Sequence, residues 1–89
     1  MAVYLVTYDL HKPGNNYEEV LEQIKKSSGW AMLSESSYAI STSETVEAAY
    51  KRIHAKMDEN DTLYIISLRN PWTGRGPKKV NDWLQANLQ

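Results

Sequence analysis

Hydrophobic and polar positions follow two periods along this chain. Residues 3–8 set Val3, Leu5 and Thr7 against Tyr4, Val6 and Tyr8. Both sets are largely apolar and β-prone, which is the pattern of a strand covered on both faces. A polar loop from Lys12 to Asn16 follows. Asn16 with Glu19 three residues on reads as a capping box, and Tyr17, Val20, Leu21 and Ile24 form one stripe of a helix that Gly29 stops. Trp30–Leu33 and Tyr38–Thr42 are two short strands, joined into a hairpin by the Ser34–Ser37 turn. Ser43 is the expected next cap, with Ser41 and Glu44 as the competing choice. Val46, Ala49, Tyr50, Ile53 and Met57 make the second helical stripe, which the polar run from Asp58 to Asp61 ends. Leu63–Leu68 is a fourth strand, again apolar on both faces. Pro77 then opens a short helix marked by Val80, Trp83, Leu84 and Leu88.

The element order is β-α-β-β-α-β with a helical tail. Two right-handed crossovers around an antiparallel sheet predict an α+β, ferredoxin-like domain over residues 1–89, with residues 68–89 as a basic loop plus C-terminal helix. Strands one and three are expected at the centre, with the first two helices on one face. The opposite face then needs a cover, and the C-terminal helix and a second copy of the chain are the two available. Repeats, low-complexity stretches and linkers are absent from the sequence.

Composition narrows the picture. The chain has 89 residues and no cysteine, so disulfides and thiolate metal sites are excluded. A domain this small buries only about 60–65% of its unfolded surface, so pairing with a second chain is a natural source of stability. No apolar run approaches the roughly 18–20 residues of a membrane span, and the short first strand lacks the basic lead of a signal peptide. A cytoplasmic protein with no membrane partner is the expectation. The net charge is −1, but residues 1–68 carry 6 basic and 10 acidic residues, whereas Arg69, Arg75, Lys78 and Lys79 lie together with no acid among them. Lys78 and Lys79 fall in a helix's first turn, where positive charge opposes the dipole, a local misfit that an external anion would relieve.

Candidate chemistry is sparse. Asp9 stands where the first strand opens into a loop, as a divalent-metal ligand or as a turn residue bonding nearby amides. His11, two residues on, is either a phosphate contact and proton shuttle or a solvated loop residue. His54 edges the second helix's apolar stripe and reads as a boundary residue. The serines and histidines lack the G-x-S-x-G setting of a hydrolase, and the glycines lack Walker spacing. Arg69, Arg75, Lys78 and Lys79 would hold phosphates while Trp72 stacks on a base; otherwise Trp72 folds back on the sheet. Tyr4, Tyr8, Tyr64 and Trp83 are candidates for a dimer interface.

A first strand ending in "YD", a hairpin containing "SSYAI" and then "DTLYIISL", in that order, resemble the small CRISPR-associated spacer-adaptation nuclease superfamily. The "YLVTYDLHKPGNNY" start and the "W-x-G-x-G … WL" tail are more similar to its SinR-like branch of phage and bacterial proteins. The resemblance implies a homodimer acting on RNA or DNA, with Asp9 and its twin binding Mg²⁺ or Mn²⁺ for a metal-dependent endonuclease, and His11 beside it. Arginines follow the acid in that family; here His11-Lys12-Pro13-Gly14 stand instead, which implies weak or lost activity. The alternative reading is a non-catalytic phage-type module that binds a host protein through acidic helix surfaces such as Glu18, Glu22 and Glu47.

Overall fold

A computed structural model describes residues 1–11 and 17–89 of the chain. The expected loop and the capping box on Asn16 lie outside the described residues. Seven elements follow in order: β1 (Ala2–Asp9), α1 (Tyr17–Lys25), β2 (Gly29–Ser34), β3 (Ser37–Thr42), α2 (Val46–His54), β4 (Thr62–Ser67) and α3 (Lys78–Asn87). The four strands form one antiparallel sheet in the order β2-β3-β1-β4, so the first and third strands are central. The fold is α+β.

The alternation in β1 divides the molecule into two cores. Tyr4, Val6 and Tyr8 turn towards α1 and α2, joining Val20 and Ile24 of α1, Ala49 and Ile53 of α2, and Tyr38 and Ile40 of β3. Val20, Ile24, Ala49 and Ile53 are fully buried because their spacing keeps them on one stripe of each helix. Val3 turns the other way and meets Ala31, Ala39, Val80, Leu84 and Leu88 beneath α3.

The second core exists because the sheet is thin there. Register aligns Gly29 with Ser41 and Ala31 with Ala39, so β2 and β3 present small side chains to α3. An added Cβ on Gly29 would lie 2.9 Å from the Ser41 hydroxyl oxygen and 3.6 Å from the Trp83 ring. The glycine therefore lets a tryptophan-bearing helix settle close to the strand.

α3 covers only part of this face. Tyr64 and Ile66 of β4 pair with Thr7 and Leu5 of β1, on the same side as Val3. They remain 62% and 51% exposed. The expected cover by the C-terminal helix is thus present over Val3, Ala31 and Ala39 and stops short of β4.

Arg52 ties the helices to the β3–α2 connection. Its Nε donates to both Glu44 carboxylate oxygens at 3.2 and 3.0 Å, and Nη2 reaches Oε1 at 2.8 Å. The same guanidinium donates to the Ser27 hydroxyl at 3.0 Å and to the Gln23 carbonyl at the end of α1. Glu44 also accepts from the Thr42 hydroxyl at 2.9 Å, and its carbonyl accepts from the Tyr4 hydroxyl at 2.7 Å. Arg52 first, and the Thr42 hydroxyl after it, hold the Glu44 carboxyl below its ordinary pKa against the opposing effect of burial.

Two local expectations are corrected. The N-cap of α2 is Thr45, whose Oγ1 accepts from the Ala48 amide at 3.1 Å; Ser43 lies two residues too early to do this. Gly29 is the first residue of β2, and α1 already ends at Lys25.

Candidate nucleic-acid interface

Asp9 closes β1, opposite Thr62 of β4, and is exposed. Strand alternation places it on the side of Val3, Leu5 and Thr7, at the end of the sheet that α3 leaves uncovered. His11 is exposed beyond it, and its backbone N–H donates to Asp61 Oδ1 at 2.5 Å. Asp61 Oδ2 accepts from the Asp58 amide at 2.8 Å. These two amides hold the Asp61 carboxyl below its ordinary pKa, the His11 bond being the larger cause. Asp61 thus anchors the start of β4 to the loop leaving β1, a tie that sequence reasoning passed over as a polar helix stop.

Beneath Asp9, Tyr8 is buried and its hydroxyl donates to the Glu35 carbonyl at 3.1 Å. Burial, with Tyr17 and Tyr38 nearby, pushes the Tyr8 phenol pKa up. The phenol therefore stays neutral and serves as a structural donor. Among the described residues no three His, Asp or Glu side chains converge to hold a metal ion.

The basic segment lies elsewhere. Leu68, at its start, donates its amide to the Val3 carbonyl at 2.9 Å. Val3 and Asp9 are six strand positions apart, or about 20 Å at ~3.4 Å per residue. Within one protomer the two candidate sites therefore sit at opposite ends of β1. Arg69, Arg75, Lys78 and Lys79 are all exposed. Lys78 pairs with Asp82 at 2.8 Å, one helical turn on. Trp72 is partly buried against the core beneath α3, with the Gly74 backbone close to its ring. Of its two expected roles, folding back on the sheet is the one observed.

The four aromatic interface candidates divide by face. Tyr4 and Tyr8 belong to the core under α1 and α2, because their even positions in β1 point there. They are closed off by the chain itself and offer no free surface. Trp83 packs partly buried against the sheet from α3. Tyr64 alone of the four is broadly exposed.

A second aromatic ring was missed. Trp30, taken in sequence as an ordinary strand residue, is 40% exposed on the edge strand β2, next to the 47% exposed Met32. The Lys25 ammonium sits 4.8 Å from the centre of the Trp30 ring. Trp30, Met32, Trp83, Lys25 and Lys79 line one recess of about 540 Å³ that straddles the strand. The signal in the sequence was the short spacing from Lys25 to Trp30. Bringing Lys79 beside them takes the tertiary packing of α3.

No protein-family model, curated protein or solved structure matches this chain. Among the described residues no helix is long and apolar enough to cross a membrane.

Proposed function

We propose that this chain is a homodimeric, nucleic-acid-associated protein. In this reading its sheet order is the ferredoxin-like one, and the chain is a distant relative of the small CRISPR-associated spacer-adaptation nucleases. The observation that carries the nucleic-acid reading is the set of exposed cations Arg69, Arg75, Lys78 and Lys79, whose segment through Gln89 contains Asp82 as its one acid. Exposed cations of this kind bind phosphates by releasing counterions, whatever the chain's overall charge.

Pairing occurs through the half of the sheet face beside Tyr64 and Ile66. β4 runs Thr62–Ser67 without a charge, a proline or a register break, so its edge has none of the usual guards against strand pairing. Asp9 lies at the same uncovered end. A twofold axis there brings two Asp9 carboxylates together, and any Mg²⁺ or Mn²⁺ is shared between the copies. Metal-dependent phosphodiester cleavage, weak or lost, belongs to that pair and not to a single protomer.

The test is incubation with RNA and with DNA, with and without Mg²⁺ or Mn²⁺. Metal-dependent cleavage abolished by Asp9→Ala supports the nuclease reading. Equal cleavage by parent and variant refutes it. Retained binding with no cleavage leaves a non-catalytic nucleic-acid-binding dimer. The second reading, a module that binds a host protein, is favoured by the same exposed, uncharged β4 edge; its sign is a protein captured in the absence of any nucleic-acid binding.

A further inference from the structure

We infer that the recess on the β2 edge is a base-and-phosphate site for single-stranded nucleic acid, with Trp30 as its stacking platform. This rests on the nucleic-acid reading above and moves its base contact from Trp72 to Trp30.

Trp72, the expected stacking residue, is partly buried against the core beneath α3. Trp30 is open to solvent and carries a lysine ammonium over its ring. A ring that attracts a cation on its face also stacks a nucleobase, because every base presents a π-face. A base seated on Trp30 displaces Lys25, whose released ammonium then meets the adjoining phosphate. Lys79 enters the same recess from α3, and no carboxylate lines it.

The helix end adds to this. α3 begins at Lys78, behind Pro77, with no side-chain cap. The Val80 amide is bonded to the Pro77 carbonyl at 3.1 Å, and Lys78 and Lys79 are the two first-turn residues before it. The recess volume also falls within the roughly 300–1,000 Å³ of small-ligand sites.

An acidic peptide adding a strand to β2 is the rival occupant, since β2 is an edge. The β2–β3 register shifts between Met32 and Ser34. Such a bulge bends the strand and interrupts the backbone ladder that strand addition requires. The rings and ammonium groups survive the bulge, and they suit bases and phosphates.

The experiment is fluorescence anisotropy with a short fluorescein-labelled oligothymidylate, its abasic counterpart and a poly-glutamate peptide. The proteins are the full chain and the variants Trp30→Ala, Lys25→Gln and Lys79→Gln, each checked for folding by circular dichroism. Trp30→Ala should weaken oligothymidylate binding by about fivefold to a hundredfold. It should leave the abasic strand nearly unaffected. Each lysine variant should flatten the slope of log affinity against log salt by about 0.7. Because both lysines are exposed, their variants test the site even if Trp30→Ala fails to fold. If the parent binds and all three variants bind equally well, the recess is overturned while the nucleic-acid reading stands. If the parent binds no oligonucleotide, both fall. If poly-glutamate binds more tightly than oligothymidylate and is lost in Trp30→Ala, the site belongs to a protein partner.

Discussion

Replacing Arg52 with alanine tests how the helical layer is held to the sheet. The guanidinium joins three segments: α2, which carries it; the β3–α2 connection, through Glu44; and the end of α1, through Ser27 and the Gln23 carbonyl. Its side chain is 20% exposed and that of Glu44 is 28% exposed. The pair is therefore stronger than a surface ion pair, and water still screens part of it. Removing it leaves the Gln23 carbonyl and the Glu44 carboxylate without a charged donor. A hydrogen bond to a charged group contributes about 1.5–3 kcal/mol net. Several bonds sharing one side chain do not add, so Arg52→Ala should cost about 2–3 kcal/mol. In a domain of this size that lowers Tm by roughly 10–20 °C. Glu44→Gln should cost less, because the amide still accepts and the backbone carbonyl bonded to Tyr4 is untouched.

Urea unfolding of the parent, both single variants and the double variant closes the cycle. The expected coupling is about 1 kcal/mol. Single effects that add to within about 0.3–0.5 kcal/mol would refute it. The pH dependence gives a second check. The folded Glu44 carboxyl is held below its unfolded value of 4.5, so the folded state binds its proton less readily. The stability it adds is fully present above that unfolded value and disappears as pH falls through the lower folded one. Parent and Glu44→Gln should therefore converge in stability in the range below pH 4.5. A gap that persists or widens in acid contradicts the assignment.

Gly29→Val should destabilise by about 1–3 kcal/mol, because its Cβ crowds the Ser41 hydroxyl oxygen and its branches add bulk beside the Trp83 ring, although valine is the better strand former. Thermal unfolding reads the sign, and a stabilised variant would mean that α3 does not rest on Gly29. Tyr64→Lys should shift sedimentation from dimer towards monomer while leaving the fold intact, since that side chain is outside both cores. An unchanged sedimentation coefficient would rule out pairing through β4.

Much of the architecture was legible because periodicity is a local signal. The alternation of β1 and the stripes Val20/Ile24 and Ala49/Ile53 each point to one buried face, and those faces meet in the first core. The open second face was legible too, since both sets of β1 positions are apolar. How far α3 would cover it was not, because that depends on the small residues Gly29, Ala31, Ala39 and Ser41 aligning across two strands. The cap of α2 was misplaced because Ser41, Ser43 and Thr45 are all good caps locally. Only the helix's actual start selects Thr45. Tyr4 and Tyr8 were grouped with Tyr64 by residue type, whereas strand parity separates them. The aromatic-basic recess was hidden for a related reason: Lys25, Trp30 and Lys79 come from α1, β2 and α3, and only tertiary packing brings them together.

The most direct measurement is the affinity of the full chain for a short single-stranded oligonucleotide across a series of salt concentrations. Log affinity should fall linearly with log salt, with a slope of about −0.7 for each phosphate neutralised. Arg69→Gln and Arg75→Gln should each make it shallower. An affinity that does not change with salt, or no binding even at low salt, would contradict the phosphate-binding role of these cations.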